Sequence, residues 1–411
     1  MLQIMPILVA LKRHKAGTIL IALQIALTLA IVCNAISIIQ QRIVRLSRPT
    51  GMIETNLLTV GSDWVGVSND DIGSLIRSDL LALRQLPGVQ SATVSYAYPL
   101  YGSGWSASVR TDPSAANPIT SAAQYFTDDQ AIATTGANLI AGRNFRSDEV
   151  SSASSKSYSP PPQVIVTKAL ADRVYPNGSA LGKTIYLREG TTVPSTIIGI
   201  MESLQGPRLS TSSDVVADNA VLIPIILTDQ SNSYLVRAKP GQLTELTKSV
   251  PAMLYKVSRT RVIPQQIGVR TFDVVREQAY RIDHGMVIIM SVVCVVLLAT
   301  TAAGIVGLTS FWVGQRRRQI GVRRALGATR GDIFGYFLTE NLLISVSGAI
   351  VGAILAVGIN IWLSTSFEMA RLSIGYIGIA MIIVLLLGQG AVLAPAIRAA
   401  RMSPLEVTRS K

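Results

Sequence analysis

Arginines dominate the one stretch of this chain whose residue types and spacing point to a definite task. Residues 315–332 read QRRRQIGVRRALGATRGD and carry Arg316, Arg317, Arg318, Arg323, Arg324 and Arg330. Long apolar runs flank the stretch on both sides. Arginine is costly at the centre of a bilayer, so these residues lie outside the membrane. Short loops rich in Lys and Arg stay on the cytoplasmic side. The chemistry available to such a segment is docking: planar guanidinium groups offered to a cytoplasmic partner.

Other chemical candidates are weaker. Residues 177–184 read NGSALGKT, close to the phosphate loop G-x-x-x-x-G-K-[ST], whose backbone amides cradle phosphate. Asn177 stands where the first glycine is required, so the expected structure is a turn before a strand at Thr184. The two histidines, His14 and His284, fall on opposite sides of the membrane and share no metal or triad. Asp70/Asp71 and Asp128/Asp129 read as helix starts, where the helix dipole favours acids. No metal-ligand spacing and no catalytic constellation is present, so no catalytic residue, metal or bound cofactor is expected. Cys33 and Cys294 lie inside apolar runs and read as small apolar residues, not as a disulfide framework. Glu340 is an acid about two turns inside an apolar run, which makes it a functional candidate. An ion pair with Arg323 or Arg324, or with another subunit, is expected for it.

The elements that must position these residues are legible from composition. Hydrophobic residues make up 49% and charged residues 15% of the chain, against about 25% charged in an ordinary soluble domain. Mean hydropathy is +0.41. Runs 16–39, 285–314 and 372–397 hold no charge, and 333–367 is broken only by Glu340. Each is long enough to cross a bilayer, which takes about 20 residues. The first run exceeds the apolar core of a signal peptide, about 7–15 residues, and reads as an uncleaved anchor. Lys12, Arg13 and Lys15 before it, and Arg398, Arg401, Arg409 and Lys411 at the far end, place both termini in the cytoplasm. The net charge of +13 therefore follows from topology and contact with anionic lipids, not from binding nucleic acid.

Residues 41–284 form a large extracytoplasmic domain, following a segment 1–40 that holds the first span; 285–411 hold the other three. Helices are expected over 70–86, 168–174 and 243–255, with Pro251 kinking or shortening the last. Strands are expected over 89–96, 164–167, 184–187, 195–200, 221–226, 233–238 and 262–267, and a flexible loop over 151–162. A helix over 270–281 feeds the second span. The fold class is thus an α-helical membrane protein with four transmembrane helices and a mixed α/β domain between the first and second. Gly348 and Gly352, followed by Ala356, form a small-xxx-small pattern that lets two helices approach closely, within the chain or between subunits.

This layout resembles the MacB/FtsX-type ABC transporter permeases. Residues 315–332 with Ile333 resemble the segment R-x-x-E-I-G-[IV]-R-x-A-[LV]-G-A that follows the family's second span, and Phe337-Leu-Thr-Glu340 resembles its F-L-x-E continuation. Residues 395–406 (PAIRAARMSPLE) are similar to the family's ending P-A-x-x-A-[AS]-x-[LM]-x-P-x-[ED]. Residues 139–145 (LIAGRNF) and 164–187 are similar to its outer-domain segments L-x-x-G-R-x-F and V-I-V…LGK-x-[IL]. The family commonly has Glu before Ile-Gly; here it is Gln319, so one charge that would pair with nearby arginines is missing.

The resemblance implies an ATPase-coupling site at Arg316, Arg317, Arg318, Gln319, Ile320, Gly321, Arg323, Arg324, Ala325, Gly327 and Ala328. It implies a separate cytoplasmic ABC ATPase that uses ATP and Mg, a second permease chain (homodimer or heterodimer), and mechanotransmission to the periplasmic domain. It implies an inner-membrane location. The first functional reading is efflux of amphipathic compounds or peptides, with a periplasmic adaptor and an outer-membrane duct. The alternatives are lipoprotein release and non-transporting regulation of periplasmic cell-wall enzymes, although the regulatory branch typically has a smaller outer domain.

Overall fold

The computed structural model describes residues 15–188, 191–208, 217–265, 268–367 and 372–401. The basic residues Lys12, Arg13, Arg409 and Lys411, His14, and the end of the 395–406 motif lie outside them. The chain divides into two units, Met1–Ser47 with Ile282–Lys411, and Arg48–Arg281. The first helix among the described residues, α1 (Lys15–Leu46), belongs to the membrane unit.

In the outer unit, strand β1 (Leu57–Trp64) is followed by helix α2 (Asn69–Gln85). Asp70 and Asp71 fill the first turn of α2, and Ile72, Ile76, Leu80 and Leu83 form its buried stripe. Next come β2 (Val89–Ser95), β3 (Trp105–Val109), β4 (Thr120–Phe126), the short α3 (Ala131–Thr135) and β5 (Leu139–Gly142). Then follow β6 (Ser151–Ala153), β7 (Gln163–Thr167), α4 (Lys168–Val174), β8 (Thr184–Ile185) and β9 (Ser195–Met201). The unit continues with β10 (Ala220–Ile223), β11 (Ile225–Leu227), β12 (Ser231–Ala238), α5 (Leu243–Val257), β13 (Arg261–Val262) and β14 (Val269–Thr271).

Among the described residues these strands make a five-stranded sheet, β13-β1-β12-β2 with β14 also on β1, and a seven-stranded mixed sheet, β3-β4-β10-β7-β9-β5 with β8 on β9. α2 and α5 pack on the first sheet through a core that joins Ile76 and Leu83 to Leu246, Val250 and Leu254. Inside this core, Arg261 donates from both terminal nitrogens to the Asp79 carboxylate at 2.7 and 2.8 Å, and the Tyr234 hydroxyl donates to it at 2.5 Å. The guanidinium also lies over the Trp64 ring, 4.3 Å from its centroid.

Several expectations need correction. Residues 151–153 are not loop: β6 pairs in parallel with β11. The single strand expected over 221–226 is two strands, β10 and β11, which break at Pro224 and join different sheets. Proline has no N–H to continue a ladder. The strand expected over 262–267 is β13, with β14 further on; residues 266 and 267 lie outside the described residues. β8 ends at Ile185, and Tyr186 bridges to Arg110 instead. α5 runs through Pro251 to Val257 without being shortened.

Helix α6 (Phe272–Gln315) has 44 residues. At 1.5 Å per residue it is about twice as long as the roughly 30 Å hydrocarbon core requires. After it come α7 (Arg317–Ala325), α8 (Arg330–Phe367) and α9 (Ile374–Arg401). Among the described residues four helices, α1, α6, α8 and α9, are long and apolar enough to cross a membrane. Lipid is as apolar as the side chains, so close approach and hydrogen bonds must hold these helices together. A Cβ on Gly348 would fall 2.7 Å from the Ala22 carbonyl oxygen, and one on Gly352 2.7 Å from that of Ala26, so both glycines lie directly against α1. Thr28 and Thr301 hydroxyls are 2.7 Å apart between α1 and α6, and Gln24 donates to the Thr300 carbonyl at 3.1 Å. Asn34 donates to the Ala356 carbonyl of α8 at 3.2 Å, and Asn341 to the Gly388 carbonyl of α9 at 3.0 Å. Past the apolar stretch, Asp283 accepts from Arg42 and lies 3.9 Å from Arg45.

Candidate coupling site

The basic stretch folds as a short helix between two spans, and local sequence sets both of its ends. The α6 ladder runs nearly unbroken into α7, with Arg316 N–H bonding to the Trp312 carbonyl at 3.0 Å and Ile320 N–H to that of Arg316 at 2.9 Å. At the far end Gly327 takes φ +99°, a conformation that glycine adopts without strain. Its N–H bonds to the Arg324 carbonyl at 3.1 Å, while Ala328 N–H bonds to that of Arg323 at 3.0 Å. This pair of bonds is a Schellman stop. Two residues on, Thr329 and Asp332 form a capping box. Asp332 N–H donates to the Thr329 hydroxyl oxygen at 3.2 Å, and Thr329 N–H donates to the Asp332 carboxylate at 2.9 Å. The stop and the start stand back to back, so the chain reverses sharply into α8.

Arg316, at the junction of α6 and α7, is 9% exposed, and Glu340 on α8 is 3% exposed. Arg316 donates to both Glu340 oxygens at 3.1 Å and to the Tyr336 hydroxyl at 3.4 Å. The acid expected to meet Arg323 or Arg324 therefore pairs with Arg316. Those two are drawn elsewhere: Arg323 lies 5.1 Å from the centroid of Tyr336, and Arg324 donates to the Ala400 carbonyl of α9 at 3.3 Å. Ile320 and Gly321 are buried, and Arg324 and Ala328 half-buried. Arg317, Arg318, Gln319, Arg323, Ala325 and Gly327 are exposed. Two apolar residues not singled out from sequence share this open side, Val322 at 54% and Leu326 at 82% exposure. Helical spacing alone could have found them, because Val322, Ala325 and Leu326 recur at i, i+3 and i+4. What the helix exposes is a mixed basic and apolar face. Among the described residues, no group of metal-ligating side chains accompanies it.

The other candidates stay apart from this helix. Residues 177–184 form a turn, with Gly178 and Gly182 at positive φ and Gly182 N–H bonded to the Ile197 carbonyl at 2.8 Å. A strand follows rather than the helix a phosphate loop requires. Asp128 lies just before α3, where it accepts from Arg84 at 2.6 Å and Thr93 at 2.7 Å. Cys33 is buried in the main core of the membrane unit and Cys294 in a small apolar cluster with Val32 and Ala35.

Comparison with known proteins places the chain. A family model described as the MacB-like periplasmic core domain matches residues 18–250, and one described as the FtsX-like permease C-terminal matches 291–404. The chain belongs to the MacB/FtsX-type permeases of ABC transporters. It is 24% identical over 406 residues to the macrolide export ATP-binding/permease protein MacB of Neisseria gonorrhoeae, covering 97% of this chain and 59% of that protein. With MacB 1/2 of Paracoccus denitrificans it shares 24% identity, over 97% of this chain and 57% of the relative. The chain thus spans under two thirds of the length of these relatives. The crystal structure of the periplasmic region of MacB from Actinobacillus actinomycetemcomitans aligns with 57% of this chain and 97% of its own length, at 17% identity and a TM-score of 0.35.

Proposed function

We propose that this chain is the permease subunit of an ABC transporter, in which ATP hydrolysis by a partner ATPase drives movement of the periplasmic domain by mechanotransmission, for efflux of amphipathic compounds or peptides. The carrying observation is α7 itself. It is a basic, partly apolar helix whose buried side is fixed by the Arg316–Glu340 pair and whose other side is open. Partner closure against α7 displaces the adjoining ends of α6 and α8. α6 is continuous over 44 residues, and a rigid helix of that length carries displacement rather than absorbing it. The relatives' names, which speak of macrolide export, favour efflux over the other branches of the family.

In this reading α7 and both termini face the cytoplasm, residues 41–284 are periplasmic, and two permease chains pair. ATP and Mg belong to the ATPase. Charge reversal at Arg323 and Arg324 then abolishes stimulation of ATP hydrolysis by the permease while the protein still folds and inserts. Unchanged coupling in that variant would remove α7 as the docking site. Gentle purification from native membranes separates the branches. An ATPase with a periplasmic adaptor supports efflux. An ATPase alone moves the reading to lipoprotein release or regulation, and no ATPase at all contradicts it.

A further inference from the structure

A cleft of about 310 Å³ opens beside β3, the outermost strand of the seven-stranded sheet. Ser106 and Ser108 line it from β3, and Trp105, Tyr158 and Arg188 supply most of its character. Trp105 and Gln124 are register partners across β3 and β4, so their side chains leave the sheet on one face. The rings on that face form a continuous series: Tyr96 to Trp105 at 5.1 Å, Trp105 to Phe126 at 5.6 Å, and Phe126 to Tyr158 at 5.0 Å between centroids. This is a preformed aromatic wall.

Gln124 and Arg188 are polar side chains that line the cleft. Gln124 is 4% exposed, and its Nε2 has no hydrogen-bond partner. A buried amide donor left in that state is unfavourable, and most such groups in folded proteins are paired. At the rim, exposed Arg188 lies over Tyr158, 5.7 Å from the ring centroid, and donates to the Tyr158 carbonyl at 3.4 Å. Arg188 forms no ion pair with a described residue. A guanidinium and a primary amide beside an aromatic wall suit a carboxylate carried on a flat apolar body. The volume sits at the small end for ligand sites and admits one ring with a short polar arm.

We infer that the cleft between β3 and Arg188 binds small aromatic carboxylates, with the ring against Trp105 and Tyr158 and the carboxylate on Arg188, the buried Gln124 amide turning to bring Nε2 to it. The site is independent of α7, and its occupancy requires no ATPase.

The test is calorimetric titration of the full chain in lipid nanodiscs with N-acetyl-L-phenylalanine, and separately with phenethylamine, which carries a similar ring on a cation. Saturable binding of the acid in the millimolar range is expected, with the amine at least about tenfold weaker. Arg188→Ala and Gln124→Leu should each weaken the acid about tenfold, the effect of losing one charge-assisted hydrogen bond. Arg188 is exposed, so its variant carries the test even where Gln124→Leu fails to fold. Absence of saturable binding, equal binding of the amine, or an affinity unmoved by Arg188→Ala would each overturn the inference. None of these results bears on coupling through α7.

Discussion

Single residues carry concentrated electrostatic weight in this protein. Asp79 and Arg261 have fully buried side chains and satisfy each other with two hydrogen bonds. Burial lifts the Asp79 carboxyl above its ordinary range, while Arg261 and Tyr234 pull it back down. Removing one partner strands the other in the core, so Asp79→Ala should cost about 3–5 kcal/mol, read as early unfolding in a denaturant titration. Replacing Asp79 and Arg261 together with apolar residues should recover most of that loss; a strictly additive double variant would contradict the pairing. Arg143, the arginine of the LIAGRNF segment, grips Glu149 with bonds of 2.6 and 2.8 Å. Its hydrogen bonds hold the Glu149 carboxyl at about 2, below the ordinary 4.5. A depressed carboxylate stabilises the fold fully above its unfolded value and loses that contribution as pH falls. The stability of the outer unit should therefore drop between about pH 4.5 and 2, and Glu149→Gln should flatten that part of a melting-temperature profile.

Among the elements, helix contacts in the membrane unit depend on missing side chains. Gly352 leaves 2.7 Å between a notional Cβ and the Ala26 carbonyl oxygen, so Gly352→Leu forces α1 and α8 apart. A penalty of at least about 1–3 kcal/mol is expected, visible as lost cross-linking between cysteines placed on the two helices. The small-xxx-small spacing announced such a contact from sequence, but not which helix would fill it, because pattern carries no address. Helices with an apolar stripe, such as α2 and α4, were legible nearly to the residue, since apolar spacing, and in α2 the acids of the first turn, are local signals. β1 and β4 were not, because their identity comes from neighbours far along the chain: β1 pairs with β12, more than 160 residues away in sequence, and β4 with β10. The Arg316–Glu340 pair was half legible. The acid stood out against its apolar run, whereas its partner was set by the turn that Gly327 and Thr329 impose.

At the scale of the whole molecule, topology is the claim most open to direct test. A membrane-impermeant thiol reagent should label Ser155→Cys from outside intact cells with the outer membrane opened, and should reach Arg330→Cys only after the inner membrane is broken. Labelling of both from one side would reverse or refute the orientation proposed. Cys33 and Cys294 are buried and should stay silent in the parent protein. The hydrogen bonds of the first span carry a further consequence, one of timing. Asn34 finds the Ala356 carbonyl 322 residues later in the chain. At about 5–20 residues per second, the ribosome needs roughly 15–65 seconds to deliver that partner. Throughout that interval α1 has left the ribosome with an amide facing lipid. Asn34 also bonds to the Ala30 carbonyl one turn back, at 2.9 Å, so the span itself supplies a partner for one of the two amide N–H groups and the other is left for Ala356. An apolar residue at position 34 would shorten no part of that wait, but the helix would then have no N–H to offer when its neighbour arrives.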